Sequence, residues 1–216
     1  MYEGSAPEIA PATRILAVVR LALIALVAAA IAATFIETSS RETVNPLNFF
    51  GYFTMQGNIL MVFALLEAAL RSLAGREPTR GWTLLRACAV SYMAVIGVVY
   101  NTLLIGQAGG ATVPWANTVL HVIFPLYAVL DWVLCADRKV IAWRRLWVAL
   151  IYPAVWTAVV LARGATDGWV PYPFLDPANG YGTVALYCVG IMIVFILAAL
   201  GSFAATRIPS LRTLRR

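Results

Sequence analysis

Six times along this chain, about twenty or more residues pass with almost no charge. The runs are about Arg14–Ile36, Asn48–Leu70, Thr83–Gly106, Trp115–Ala136, Trp143–Ala162 and Tyr181–Ala205. Crossing about 30 Å of hydrocarbon takes roughly 20 mostly apolar residues in a helix. The sequence therefore predicts an all-α fold, a polytopic bundle of six transmembrane helices. The chain is 62% hydrophobic and 12% charged, whereas a water-soluble domain is nearer half apolar. The runs fill most of the 216 residues and leave no linker long enough to hide a soluble domain. Residues 1–216 thus read as a single integral membrane domain.

The first run contains "LALIALVAAAIAATF", which has the small residues of a signal peptide. Its apolar stretch starts earlier, at Ile15, and is longer than a signal core. It is read as a retained helix, with Arg20 near enough to its end to snorkel towards the headgroups.

Arginine and lysine set the orientation. Arg71, Arg76, Arg80 and Arg86 lie in the connection of the second and third runs or in the first turn of the third; Arg138, Lys139, Arg144 and Arg145 likewise lie at the connection of the fourth and fifth. Arg207, Arg212, Arg215 and Arg216 lie at the tail, and the other loops hold only Arg41 and Arg163. The positive-inside rule then predicts that both termini are cytoplasmic, in a multi-pass protein of the cell (plasma) membrane. The net charge of +6 is accounted for by topology and by attraction to anionic lipid, with no nucleic acid as partner.

Several chemistries are set aside. Cys88, Cys135 and Cys188 show no CxxC spacing and read as structural thiols. One histidine leaves a zinc site without partners, so no metal is expected. The sole lysine, Lys139, lies in a loop, and no Gly-rich phosphate cradle or dinucleotide fingerprint occurs, so no cofactor is expected.

What remains is a polar plane. Thr54 and His121 each fall six residues into their predicted helices, about 9 Å below the outer hydrocarbon boundary. Asn101, Thr157 and Tyr187 reach a similar level from three other helices. Thr54 and Asn58 are spaced i, i+4 and share a face, as do Asn117 and His121. Gly57 lets a neighbouring helix come close. Pro125, four residues after His121, removes the backbone bond to the His121 carbonyl and predicts a kink.

Plainer readings stand beside these. A membrane threonine commonly bonds back to a carbonyl one turn earlier, here Phe50. Gln56, Asn58 and Asn101 can serve as interhelical glue. Asp131 and Glu67, near the inner ends, can pair with Arg86 or the 138–145 basic cluster. Trp82, Trp115, Trp143 and Trp169 fall at predicted interfaces as anchors. The segment "RGATDGWVPYPFLDPANGYG" is too rich in proline and glycine for a regular helix. It reads as an outer loop or as a lid over the polar plane.

Three segments, "YFTMQGNIL", "NTVLHVIFPLYAVLDWVL" and "GWVPYPFLD", occur in that order. Together they resemble the androgen-induced and androgen-dependent TFPI-regulating proteins and their bacterial six-helix relatives. That resemblance implies an intramembrane threonine hydrolase of fatty-acyl esters, with the nucleophile on Thr54 and the histidine on His121. The chain departs from some relatives in carrying Thr118 where they have a second histidine. Abundant arginine and alanine beside one lysine point, on codon grounds, to a GC-rich bacterial genome.

The implied chemistry is direct. A threonine hydroxyl needs a base to take its proton, and a neutral His121 can accept it. Asn58, Asn101 or Asn117 would donate to the oxyanion, with Gln56 and Tyr187 as further substrate contacts. Membrane lipids, and a fatty-acyl ester among them, are the expected partners. Two rival classes stay open: a small-molecule transporter or channel, and a non-catalytic membrane scaffold.

Overall fold

A computed structural model describes residues 10–106, 113–135 and 137–208. Ala136, the predicted end of the fourth run, and Arg212, Arg215 and Arg216 lie outside the described residues. The chain is a bundle of six helices long and apolar enough to cross a membrane, with no strand among the described residues. They are α1 (Pro11–Arg41), α3 (Phe53–Leu73), α4 (Arg80–Leu104), α5 (Pro114–Leu134), α6 (Trp143–Thr166) and α7 (Tyr181–Ala205), with a single turn, α2 (Pro46–Phe49), before α3.

Helix α4 is the hub and packs against α3, α5, α6 and α7, while α1 lies on α3 and α5. Thr79 caps its start, accepting from Trp82 N–H at 3.3 Å. Small residues admit this close packing: Ala64, Ala69, Ala87, Ala89 and Ala128 are all buried. Gly57 faces Ile96, whose Cδ1 would lie 2.5 Å from an added Cβ. In contrast, α6 and α7 keep most of their apolar surface outward, as helices facing lipid do.

The second run departs from its predicted start at Asn48. Pro46 fits the first turn of α2, where its missing N–H costs nothing, and the Asn45 side chain accepts from Leu47 N–H at 2.9 Å. The chain turns at Phe50–Tyr52 and helix resumes at Phe53. Gly51 permits the turn, because a Cβ there would lie 2.7 Å from Leu47 O and 2.7 Å from Trp169 Cη2. Thr54 is therefore the second residue of its helix and not the sixth or seventh. Gly51→Ala is expected to cost about 1–3 kcal/mol by forcing the α2 turn and the Trp169 loop apart. A lowered thermal midpoint and faster proteolysis of the 167–180 loop would register it.

Two helices carry a wide turn with i→i+5 bonds. In α4 it spans Tyr100–Leu104, where Ile105 N–H reaches Tyr100 O at 3.1 Å. In α5 it spans Val119–Ile123, just before Pro125, and Phe124 N–H bonds Val119 O. The predicted kink thus takes the form of a widened turn, a feature that often accompanies functional sites. Gly97 gives it room: a Cβ there would meet Pro125 Cβ at 3.3 Å and His121 O at 3.8 Å.

Arg20 does not snorkel. It is fully buried and pairs with Asp131 and Asp137. The reason is that two carboxylates from distant sequence meet it inside the bundle, so burial leaves no charge unpaired.

Candidate functional site

Among the described residues, two polar places stand apart along α4, separated by the 14 residues from Arg86 to Tyr100, about 21 Å. Near Arg86 lies an ion cluster. Arg20 Nε and Nη2 donate to the two Asp131 oxygens at 2.9 and 3.2 Å, and its Nη1 reaches Asp137 at 2.6 Å. Arg86 donates to Asp137 Oδ1 at 3.0 Å and also to Asp131. Tyr127 Oη adds a bond to Asp131 at 3.3 Å, and the Arg86 guanidinium lies over the Trp132 ring. Two positive and two negative charges cancel there, which suits a clasp joining α1, α4 and α5. Glu67 pairs with Arg71 on its own helix, outside this cluster.

The other place is a cavity of about 100 Å³ between α3, α4, α6, α7 and the loop before α7. Val95, Ile96, Val99, Met192 and Phe195 make its walls apolar, and Phe174 and Leu175 close it from the loop. Thr54 supplies a hydroxyl to the wall and is itself 6% exposed.

The position of Thr54 at the start of α3 gives it unusual chemistry. The first N–H groups of a helix lack intrahelical partners and form a positive end. Thr54 N–H donates to Tyr172 Oη at 3.3 Å, and the two hydroxyls lie 3.4 Å apart. The phenol oxygen thus occupies the helix N-terminus, where a carbonyl oxygen or oxyanion would be stabilised. Burial pushes the Tyr172 phenol up to about 12, against the opposing bonds from Thr54, so it keeps its proton for donation. Tyr172 comes from the predicted lid loop, held down by Tyr52 at 5.7 Å, Trp156 at 5.9 Å and Phe174 at 5.3 Å between ring centroids.

His121 approaches the same cavity from behind. Its ring stacks on Tyr100 with centroids 4.0 Å apart, and Tyr100 forms part of the cavity wall. Nδ1 lies 3.1 Å from Asn117 O. A carbonyl can only accept, so Nδ1 carries the hydrogen and the lone pair is left on Nε2, the form a general base needs. His121 does not itself line the cavity, and Thr54 Oγ has Tyr172, not His121 or Phe50 O, as its hydrogen-bond partner among the described residues. The two backbones are nonetheless tied: Asn58 Nδ2 donates to Thr54 O at 2.8 Å and to Leu120 O at 3.2 Å.

The amides selected from sequence donate to other groups. Asn58 is fully buried, and its Oδ1 has no partner among the described residues. Asn101 donates to Gly97 O and is exposed. Asn117 bonds Tyr100 Oη. Gln56 donates to Phe50 O and accepts from Tyr152 Oη. Tyr187 stacks near Phe174 with ring centroids 5.8 Å apart. Thr157 lines the cavity beside Trp156. None of these amides reaches Thr54 Oγ.

Tyr172 and Tyr100 emerge only in three dimensions. Tyr172 had a trace in sequence, as an aromatic in a proline-rich loop; Tyr100 had none. No protein family, curated protein or solved structure matches the chain.

Proposed function

We propose that the protein is an intramembrane lipid-ester hydrolase, with Thr54 as nucleophile and the apolar cavity holding an acyl chain. The observation that carries this reading is the hydroxyl of Thr54, buried at a helix N-terminus, facing an apolar cavity and bonded by a protonated tyrosine. The basic loops and both termini face the cytoplasm of a cell membrane in this reading, so the cavity opens in the outer half. The resemblance to threonine hydrolases points to the same residue.

In the reaction, Thr54 Oγ attacks the ester carbonyl carbon as its proton passes to His121 Nε2. The carbonyl π pair moves onto oxygen, which takes the place of the Tyr172 phenol oxygen at Thr54 N–H and receives the Tyr172 hydrogen bond. Collapse breaks the bond to the alcohol oxygen, which leaves with the proton from His121. Water then attacks the acyl carbonyl carbon as its proton passes to His121; collapse breaks the acyl–Oγ bond, the fatty acid leaves, and Thr54 Oγ takes the proton back from His121. Tyr100 stacks on His121 and lines the cavity that Thr54 also lines, so in this reading its ring is the gate between base and nucleophile.

Incubating reconstituted protein with a fatty-acyl ester and mapping peptides by mass spectrometry tests the reading. An acyl group on Thr54 supports it; ester turnover without any acyl-threonine, under rapid acid quench, refutes the covalent route. Tyr172→Phe is expected to lower kcat about 10²-fold, the loss seen when one oxyanion donor is removed, and to leave binding of the acyl chain little changed.

The absence of a Thr54–His121 hydrogen bond among the described residues favours a second reading, a binding site or transport path for an apolar molecule without chemistry. Flux in proteoliposomes unaffected by Thr54→Ala would select it. The buried cluster of Arg20, Arg86, Asp131 and Asp137 ties α1, α4 and α5 together at the basic-loop end of the bundle, which weighs against an open path.

A further inference from the structure

The cations at the Arg86 end of the bundle fall into two kinds. Arg20 and Arg86 form ion pairs with Asp131 and Asp137 inside. Around the neighbouring mouth, Arg80, Lys139, Arg144 and Arg145 line a recess of about 260 Å³ together with Thr83, Val140, Ile141 and Ala142. No carboxylate lines it, and none of the four cationic side chains has a hydrogen bond or ion pair among the described residues. All four are exposed. Four like charges around one recess repel each other, and an anion between them relieves that repulsion.

The recess is built, not a chance gathering of flexible loops. Thr83 Oγ1 donates to Thr79 O at 2.7 Å and accepts from Lys139 N–H at 3.4 Å, fixing the 137–142 segment to α4. On the other side Ile141 N–H reaches Thr206 Oγ1 at 3.4 Å, and Arg207 donates to Ile141 O at 2.7 Å, fixing the same segment to the end of α7. The backbone presenting Lys139 is thereby held on both flanks.

Its surroundings are those of a membrane edge. Trp82 and Trp143, 39% and 45% exposed, stand at the first residues of α4 and α6. Val140, at the lip, is 62% exposed. A soluble anion would gain nothing from this apolar lip, whereas a lipid would lay its glycerol and first methylenes on it. Basic pockets between helices at the basic-loop face are suited to anionic headgroups.

We infer that the recess bounded by Arg80, Lys139, Arg144 and Arg145 binds the phosphodiester headgroup of an anionic phospholipid. Thr83 is at the back of the recess, and the acyl chains run down the bundle surface beside Trp82 and Trp143. This site is separate from the Thr54 cavity and does not depend on the reading of that cavity.

Native mass spectrometry of protein released from mixed phosphatidylglycerol and phosphatidylcholine membranes is the test. The wild type is expected to retain phosphatidylglycerol preferentially. The variant R80Q/K139Q/R144Q/R145Q is expected to lose that preference by at least about ten-fold. A control with Arg76, Arg212, Arg215 and Arg216 changed to glutamine loses the same charge and is expected to keep it. R144Q/R145Q alone, two exposed substitutions, is expected to lose part of it, and serves if the quadruple variant does not fold. Unchanged preference in the recess variants overturns the proposal, as does equal loss in the control. Inorganic phosphate that raises the thermal midpoint as much as phosphatidylglycerol does, and displaces the lipid, would identify a site for soluble anions and also overturn it.

Discussion

Replacing Thr54 by alanine is expected to abolish labelling by a long-chain fluorophosphonate and to lower ester turnover at least about 10³-fold, with the protein still folded. The reasoning starts from what the hydroxyl does structurally. Its hydrogen-bond partner among the described residues is Tyr172 Oη at 3.4 Å, a long contact, and the Tyr172 oxygen keeps the Thr54 N–H at 3.3 Å when the side chain is cut back. Removing one weak neutral bond of this kind costs about 0.5–1.5 kcal/mol of stability. In the proposed reaction the nucleophile is lost outright, so the expected effect on rate is far larger than the effect on folding. Thr54→Ser retains the oxygen and is expected to keep measurable labelling.

His121→Ala tests the base of the proposed reaction: it leaves the hydroxyl in place but removes the proposed acceptor of its proton, so labelling is expected to slow by about 10²–10⁴-fold. Tyr100→Ala, in contrast, removes the ring that stacks on His121 and lines the cavity. If Tyr100 is a gate, this change is expected to leave some labelling and to make it faster relative to acyl-chain binding. Labelling unaffected by both Thr54→Ala and His121→Ala would assign any reactivity to another residue and remove the hydrolase reading.

The six spans were legible in sequence because lipid leaves the backbone no alternative: twenty apolar residues in hydrocarbon satisfy their N–H and C=O groups as helix. The boundary at Phe53 was not legible, since Leu47, Phe49, Phe50 and Tyr52 continue the apolar pattern across the break. The turn is held by contacts distant in sequence, Gly51 against Trp169, 118 residues away, and Trp156 Nε1 donating to Gly51 O at 2.9 Å. That break changes what Thr54 is, from a residue inside a helix with its N–H satisfied to one at a helix start with its N–H available. The contrast at His121 is different. Pro125 announced a lost backbone bond, but no local rule says that Tyr100, in a second widened turn on α4, will stack on the imidazole. Arg20 was misread for a related reason. Its spacing from the end of α1 permits snorkelling, and its burial follows only from Asp131 and Asp137, at separations of 111 and 117 residues.

Asp131→Asn should be the most damaging single change to stability. Asp131 takes bonds from Arg20, Arg86, Tyr127 and Cys135, and its side chain is wholly buried. In the amide variant the two guanidiniums share only Asp137, so one buried positive charge is uncompensated. Breaking a buried pair in this way costs about 3–5 kcal/mol. The loss would be seen as a lower thermal midpoint and a smaller cooperatively folded fraction in detergent or bicelles. Arg20→Gln in the same chain restores the balance of one guanidinium to one carboxylate and is expected to recover part of the loss, a coupling that a double-mutant cycle measures directly. The pH response has a definite sign. Burial alone would raise the Asp137 carboxyl, but Arg86 and Arg20 outweigh it and hold it well below the usual carboxylate range. A carboxyl depressed in the folded state gives its full stabilisation above the unfolded value of about 4 and loses it progressively as pH falls from there towards the folded value. Wild-type stability is therefore expected to fall below about pH 4, and a variant lacking the Asp137 carboxylate, Asp137→Asn, is expected to show a shallower fall from a lower starting stability. Equal acid sensitivity in the two proteins would show that Asp137 carries none of it.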